Sequence, residues 1–499
     1  MVGGSRNRGH HRHRDPGGRW TVSLTAPPPR SALPPGFRLV LDRSVRSFAG
    51  GTVLVGGRPG RILRLTAHGA AAVAALTGGN SSTDAERMLG RRLVEAGMAH
   101  PIPPPPSLAD IRDVTVVIPV HDRSEQVDRC LASLDRATPV VVVDDGSEDP
   151  DSVAEVCRRH GTRLVTRAVN GGPAAARNDG MGLVDTPLVA FLDSDCVAGP
   201  GWLAPLVQMF DDPVVGAVAP RIRPDGSSRS ARERFNHHHS PLDMGPEASE
   251  VGPNRLVRYV PTAALVVRRQ AWGEGFDVEL RFGEDVDLVW SLVDNGWQVR
   301  YLPSVEIEHH GPASWGGLLR KRFCYGTSAG PLSRRHPGRL APAVLRPWPT
   351  LAAVALLGGR PRIAVAVTAL YGGAMARRVW PLGVPPTVAM RWSVQATGWS
   401  LFGLGRAATV VVGPALVLGA VGGRRLRRAA VALSMVPPAV EWWRRRPDLD
   451  LVRWSLASVA DDVAYGIGVW AGCIRTGTLA PLLPVVEVKR PGRGGVGET

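Results

Sequence analysis

The sequence predicts an α/β protein whose central part is a doubly wound domain with a parallel sheet. Four short runs rich in valine and leucine alternate with helix-like stretches between residues 114 and 193. Runs that are apolar throughout are typical of strands in a parallel sheet covered by helices on both faces. Pairs of acidic residues stand at the ends of two of these runs. Because ligands of such sheets bind beyond the carboxyl ends of the strands, the acidic residues indicate a binding site.

The elements of this domain follow one another at short intervals. The expected strands are the runs DVTVVIPV, PVVVVDD, TRLVTRA and PLVAFLD, and the expected helices between them cover residues 124–134, 152–160 and 173–182. Motifs at the strand ends therefore carry most of the functional information.

Composition divides the rest of the 499 residues into further segments. Residues 1–35 are rich in Gly, Arg and Pro and are expected to form a disordered basic tail. Residues 36–100 contain three β-like runs and two helical stretches, which suits a small winged-helix-like domain. A stiff Pro-rich linker is expected over 101–110, followed by the α/β domain over 111–330.

The C-terminal third is basic and apolar. The chain has a net charge of +16, and this charge is concentrated after residue 313. Arginines there interrupt apolar runs instead of alternating with aromatic residues, which favours an anionic membrane surface over nucleic acid. We expect a helical region over 331–485 and a tail over 486–499. Interfacial or re-entrant helices, one or two true spans, and a packed soluble helical domain all remain open.

The predicted location is the cytoplasmic face of the cell membrane. Five cysteines are scattered along the chain and never form a CxxC pair, which indicates a reducing compartment and no zinc site.

Two acidic pairs follow predicted strands. Asp144 and Asp145 in VVVVDDGS could accept hydrogen bonds from a nucleobase or ribose, although an Asp-Gly turn that caps the next helix explains them equally well. Asp193 and Asp195 in FLDSD could share a divalent cation, since hard oxygen ligands suit Mg²⁺ or Mn²⁺. Such a cation would neutralise a diphosphate.

Further candidates lie later in the chain. In GEDVDL, Asp285 could act as a general base with Glu284 beside it, or both could simply favour a helix N-terminus. In EIEHHGPAS, His309 or His310 could complete a metal site. Arg177 in GGPAAARNDG could contact an anion. This segment lacks the GK[ST] ending of a P-loop, and no GxGxxG follows the first strand, so ATPase and dinucleotide-oxidoreductase functions are disfavoured.

The order and spacing of these segments resemble the family 2 glycosyltransferases with the GT-A fold, over residues 114–314. The segments concerned are VVIPVHDR, VVVVDDGS, GGPAAARNDG, FLDSD, GEDVDL and PSVEIEHHGPAS. The resemblance implies a Rossmann-like nucleotide-diphospho-sugar transferase domain that uses a UDP-sugar and Mg²⁺ or Mn²⁺. It also implies direct displacement with inversion at the anomeric carbon.

The resemblance assigns roles to individual residues. It implies that Pro119 lines the nucleotide site with Asp144 or Asp145, and that Asp193 contacts ribose or metal. It further implies that the side chains of Asp195 and His309 ligate the metal and that Asp285 is the base, with His309 fitting the family's late histidine better than His310. The QxxRW motif of processive synthases is absent, because TVAM precedes Arg391 and Trp392. One sugar or a short chain is therefore expected as the product.

The N-terminal pattern resembles PqqD-like peptide-recognition domains. Together with the central domain and the hydrophobic tail, it makes the chain similar to the glycosyltransferases of the mycofactocin system. That similarity implies transfer of glucose, in one or several β-linked units from UDP-glucose, onto the peptide-derived cofactor mycofactocin or its precursor. Two alternatives remain open: a cell-envelope glycosyltransferase with a lipid-linked or polysaccharide acceptor, and an inactive scaffold for peptide or membrane.

Overall fold

The computed structural model describes residues 13–14, 20–21, 27–28, 31–80, 83–105, 113–226 and 230–487. Most of the expected N-terminal and C-terminal tails and part of the expected linker lie outside these residues. Two strand pairs of two residues each, His13–Arg14 with Trp20–Thr21 and Val344–Leu345 with Val485–Val486, stand apart from the main sheets.

Among its described residues, the N-terminal domain has five strands and two α-helices. These are β1 (Arg38–Leu41), β2 (Arg46–Phe48), β3 (Val53–Gly56), β4 (Arg61–Arg64), α1 (Ala67–Gly78), α2 (Asp84–Glu95) and β5 (Ala99–Ile102). Strands β2, β3 and β4 form one antiparallel sheet, and β1 pairs with β5. Thr83 and Glu86 form a capping box that fixes the start of α2. Strand β5 extends into the expected linker, since Pro101 and Ile102 belong to it.

The central domain is built on a nine-stranded sheet. Its strands are β6 (Val114–Val120), β7 (Val140–Asp144), β8 (Arg163–Thr166), β9 (Leu188–Leu192), β10 (Cys196–Ala198), β11 (Val215–Pro224), β12 (Ser249–Glu250), β13 (Ala264–Arg268) and β14 (Gln298–His309). Its helices are α3 (Ser124–Ala132), α4 (Pro150–His160), α5 (Pro173–Gly182), α6 (Leu203–Val207), α7 (Ala231–His239), α8 (Glu284–Asp294), α9 (Trp315–Thr327) and α10 (Ala329–Arg335).

The sheet is parallel in one half and mixed in the other. The strand order is β8-β7-β6-β9-β13-β11-β14-β10, with β12 paired to β14. Strands β8, β7, β6 and β9 run parallel, whereas β13 is antiparallel to both of its neighbours. Separate buried clusters of apolar side chains cover the two faces. The prediction of an α/β fold is therefore confirmed, and the all-parallel sheet extends only as far as the four strands recognised in the sequence.

In the part of the C-terminal region that the structure describes, five α-helices have 11 or more residues. These are α11 (Pro347–Leu357), α12 (Pro361–Val379), α13 (Pro386–Val421), α14 (Arg424–Arg445) and α15 (Leu451–Thr476). A buried cluster of Ala329, Val469, Cys473 and Leu482 joins α15 to α10. The region thus packs directly onto the central domain.

The predicted location at the cytoplasmic face of the membrane, with one or two spans, is wrong. Among the described residues, no helix combines the length and the apolar character that crossing a bilayer requires. Charged side chains interrupt the longest helices: Arg391 and Arg406 in α13, and Asp461 and Asp462 in α15. The apolar runs between such residues are shorter than the roughly 20 residues that a span needs.

The N-terminal domain is fixed to the central domain by buried charges. The Arg91 guanidinium of α2 forms a two-point ion pair with the Asp212 carboxylate, with N···O distances of 2.7 and 2.8 Å. Both side chains are almost fully buried. In addition, Arg255 donates hydrogen bonds to the backbone carbonyls of Arg58 and Glu95. These contacts give the two domains a defined relative position.

Candidate active site

A cavity of about 690 Å³ opens at the carboxyl ends of β6, β7 and β9. Eight of the ten predicted site residues line it: Pro119, Asp145, Arg177, Asp193, Asp195, Glu284, Asp285 and His309. The other two, Asp144 and His310, do not line it. The helical region supplies part of the opposite wall through Val410, Tyr465 and Val469.

The two aspartates at the end of β7 have different surroundings. One carboxylate oxygen of Asp144 accepts hydrogen bonds from the backbone N–H and the hydroxyl of Ser147, so it closes a turn. The Asp145 carboxylate accepts hydrogen bonds from Arg167 and from the backbone N–H groups of Gly171 and Gly172, at 2.5 to 2.9 Å. Asp145 therefore holds the 170–172 loop at the rim of the cavity, and it is the member of the pair that lines the cavity.

The aspartates of FLDSD also point to different partners. Asp193 follows β9 directly, and its carboxylate lies 2.6 Å from a guanidinium nitrogen of Arg177. The Asp195 carboxylate lies 3.2 Å from the Arg123 guanidinium and 3.6 Å from Nε2 of His309. Although Asp193 and Asp195 are only two residues apart, their carboxylates thus lie on different sides of the cavity floor.

The two histidines at the end of β14 have different surroundings, since His309 is the last residue of the strand and His310 follows it. His309 pairs with Cys196 across the sheet and is buried beside Asp195. Its burial lowers the pKa of the imidazole, which favours the neutral form that can bind a metal. His310 points away, and its Nδ1 lies 2.8 Å from the Asp225 carboxylate. Geometry therefore favours His309 over His310 beside Asp195.

A divalent metal would find two protein ligands here. No group of three or more His, Cys, Asp or Glu side chains within the described part of the chain is arranged to hold a metal ion by itself. Asp195 and His309 offer one carboxylate and one imidazole at the cavity. Mg²⁺ and Mn²⁺ commonly combine one or two protein ligands with oxygens from a substrate diphosphate and water, so this incomplete set fits such an ion.

The acidic start of α8 forms the second side of the site. Gly283 precedes it with φ +83°, and a Cβ there would lie 2.8 Å from the Cβ of Ser328, so glycine is required. The backbone N–H of Val286 donates to Asp285 at 2.8 Å. Burial, and secondly the neighbouring Glu284 carboxylate, raise the pKa of Asp285 to about 7. This value suits a group that accepts a proton near neutral pH.

Arg177 connects the two carboxylate groups. Its buried guanidinium lies 2.6 Å from the Asp193 carboxylate and 3.2 Å from that of Glu284, and it stacks over Phe276 at 5.3 Å. Both carboxylates would compete with a phosphate for this side chain. Arg177 is therefore placed to position Asp193 and Glu284, and any contact with an anion would have to be shared with them.

The sequence patterns missed the contribution of α9. Lys321, Arg322 and Tyr325 line the cavity from this helix, and the Lys321 charge acts on His309. Their only signal in the sequence is a short basic and aromatic stretch, RKRFCYG, inside a helix without a strong apolar periodicity. Lys321 adds a cation to the cavity close enough to His309 for its charge to act on the imidazole.

Comparison with known proteins agrees with this geometry. The family model described as glycosyl transferase family 2 matches residues 115–271. The chain is 35% identical over 472 residues to the pre-mycofactocin glycosyltransferase of Mycobacterium tuberculosis, covering 91% of this chain and 99% of the relative. It is 32% identical over 242 residues to an N-acetylglucosaminyl-diphospho-decaprenol L-rhamnosyltransferase of the same species, covering 41% of this chain and 78% of the relative.

Among solved structures, a mannosyltransferase from Pyrobaculum calidifontis in complex with GDP-Man and Mn²⁺ is 19% identical, with a TM-score of 0.42. The match covers 73% of this chain and 89% of that chain. The family model and the relative that aligns along nearly the whole chain show that this protein is a nucleotide-sugar-dependent glycosyltransferase with a GT-A-like α/β domain. The chain belongs to the family 2 glycosyltransferases.

Proposed function

We propose that the protein transfers glucose from UDP-glucose onto the peptide-derived mycofactocin precursor, in one or several β-linked units and with inversion at the anomeric carbon. The observation that carries this proposal is the alignment with the pre-mycofactocin glycosyltransferase over 99% of that relative. The alignment extends across all three parts of the chain, whereas the match to the decaprenol rhamnosyltransferase covers 41% of the chain.

In this proposal, Asp285 is the catalytic base. Its raised pKa lets the carboxylate take a proton from an acceptor hydroxyl near neutral pH. The deprotonated acceptor oxygen forms a bond to the anomeric carbon while the bond to the diphosphate oxygen breaks, and the electron pair leaves with the nucleoside diphosphate. Attack from the face opposite the leaving group inverts an α-linked donor into a β-glycoside.

The donor is assigned to the end of the cavity formed by the sheet. We assign the nucleotide to the part of the cavity that Pro119 and Asp145 line, and the ribose or the metal to the Asp193 carboxylate. We assign Mg²⁺ or Mn²⁺ to the side chains of Asp195 and His309, with Lys321 nearby. Such a cation, when bound, supplies charge that stabilises the departing diphosphate.

We also propose that the N-terminal domain is a PqqD-like unit that recognises a peptide. Its small sheets and two helices leave strands β1 and β4 at sheet edges, where an extended peptide can add as a further strand. The buried Arg91–Asp212 pair would keep a bound peptide at a constant distance from the cavity.

The proposal is tested by incubating the purified protein with labelled UDP-glucose and either the peptide-derived precursor or a lipid extract. We expect label in the peptide-derived product. Label found only in lipid would contradict the proposed acceptor and support the cell-envelope alternative, and no label in any product would favour the inactive scaffold.

The role of Asp285 is tested with Asp285→Asn. Loss of general-base catalysis should lower the transfer rate by about 10²- to 10⁴-fold and leave the Kd for UDP near that of the wild type. Asp151→Asn is a matched control, since Asp151 is an exposed residue in the first turn of α4. Transfer by Asp285→Asn at the wild-type rate would remove Asp285 from this role.

A further inference from the structure

Three of the five tyrosines in the chain line the active-site cavity. Tyr259 lies in the segment before β13, Tyr325 in α9 and Tyr465 in α15. Within the described residues, the hydroxyls of these three side chains form no hydrogen bond, whereas the Tyr301 hydroxyl donates to the carbonyl of Gly245 at 2.7 Å. The cavity thus contains three phenol groups whose hydrogen-bonding capacity is free for a ligand.

Two of these tyrosines, Tyr259 and Tyr325, lie near enough to the proposed base for the charge of its carboxylate to act on them. Burial raises the pKa of Tyr259 to about 12 and also raises the pKa of Tyr325, and in both cases the Asp285 carboxylate adds to the shift. The hydroxyls therefore stay protonated and neutral across the working pH range. They can direct an uncharged group towards Asp285 without competing with it for a proton.

Close helix packing brings Tyr465 into the cavity from the C-terminal region. Helices α9 and α15 cross at Gly326 and Gly468, where a Cβ would overlap the carbonyls of Tyr465 and Phe323 respectively. Glycine at both positions lets the two backbones touch.

A charge pair next to this crossing fixes Tyr465 further. The Arg322 guanidinium pairs with the buried Asp461 carboxylate at 2.7 Å and lies 5.5 Å from the centre of the Tyr465 ring. Arg322 comes from α9, and Asp461 and Tyr465 come from α15. The C-terminal helix is therefore a structural wall of the catalytic cavity.

We propose that Tyr259, Tyr325 and Tyr465 form the acceptor subsite and bind a compact, uncharged acceptor that carries a flat apolar ring. The tyrosine rings and the apolar side chains of Leu332 and Val469 offer a surface for the ring, and the three hydroxyls bind its polar groups. Because a cavity of about 690 Å³ must also hold the donor, the part of the acceptor that enters it has to be small. This inference rests on the proposed function for the donor chemistry.

The subsite is tested with the single substitutions Tyr259→Phe, Tyr325→Phe and Tyr465→Phe. Each removes one hydroxyl and keeps the ring, so we expect the acceptor KM to rise about three- to tenfold while the Kd for UDP, measured by calorimetry, stays within about twofold. Tyr371→Phe is the matched control, since Tyr371 belongs to α12 and does not line the cavity. An unchanged acceptor KM in all three variants, or an equal loss of UDP affinity, would overturn the inference.

A second measurement separates this inference from the proposed function. If the wild-type protein does not glycosylate the peptide-derived precursor, the proposed acceptor is wrong, and the subsite is then examined with phenyl β-D-glucoside and methyl β-D-glucoside by saturation-transfer NMR. We expect the phenyl compound to bind more tightly, through its ring protons, and to lose at least threefold in affinity in the tyrosine variants. Equal binding of both glucosides, no binding, or unchanged affinity in the variants would contradict a ring-binding subsite.

Discussion

The raised pKa of Asp285 makes the pH dependence of transfer a direct test of the site. A base is active when ionised, and the ionised fraction of a carboxyl with a pKa of about 7 rises from about one tenth at pH 6 to about nine tenths at pH 8. We therefore expect kcat/KM to rise about tenfold across this interval. An ordinary aspartate, with a pKa near 3.8, would be fully ionised throughout and would give a flat profile.

The Glu284→Gln variant sharpens this test. The negative charge of Glu284 repels the Asp285 carboxylate and so raises the pKa of Asp285. Glu284 also pairs with Arg177, so its removal leaves more of the Arg177 positive charge to act on Asp285. Both changes favour ionised Asp285, so the rising limb of the pH profile should move to lower pH. Glu279→Gln, at an exposed position before α8, should leave the limb in place. A limb that stays fixed in Glu284→Gln, or that moves to higher pH, would refute the assignment.

Two further predictions concern the metal and the domain interface. His309→Ala should raise the Mn²⁺ concentration needed for half-maximal transfer by about 10- to 100-fold. His310→Ala should change this concentration little, because His310 pairs with Asp225. Similar effects of both substitutions would contradict the choice of His309 as the ligand. Arg91→Met should lower the free energy of unfolding measured with urea by about 3–5 kcal/mol, because it leaves the buried Asp212 charge unpaired. The exposed Arg38→Met should change it by less than about 0.5 kcal/mol, and a small effect of Arg91→Met would show that the pair does not fix the interface.

The local patterns in the sequence predicted the first half of the central domain well. Strands β6, β7, β8 and β9 and the helix Pro173–Gly182 follow the expected runs, because continuous apolar stretches bounded by acidic and glycine-rich turns have few alternatives. The acidic motifs lie at the strand ends, so the sequence also located most of the cavity. The later strands were not recognised, since β13 and β11 run antiparallel and depend on pairing between distant segments.

The role of the C-terminal region could not be read from local composition. Its apolar runs and arginines suggested a membrane, but Arg322 pairs with Asp461 and Arg406 with Asp462 inside the protein. The two residues of each pair are far apart in the chain, so the local pattern of apolar and charged residues does not indicate that they pair. The same is true of Tyr465, whose place in the cavity depends on the glycine crossing of α9 and α15.

Sequence spacing also left the choice within each polar pair open. Asp144 and Asp145 differ because Asp144 is the last residue of β7 and closes a turn with Ser147, whereas Asp145 follows the strand and lines the cavity. His309 and His310 differ for the same reason. For adjacent residues of one type at the end of a strand, the residue at which the strand ends must be known before a role can be assigned.

The central claim is that Asp285 directs an acceptor hydroxyl against the anomeric carbon from the face opposite the leaving diphosphate. The most direct measurement is the anomeric configuration of the product, determined by NMR after transfer from UDP-α-D-glucose to the peptide-derived precursor. A single displacement at this site predicts a β-glucoside. An α-glucoside would contradict the account.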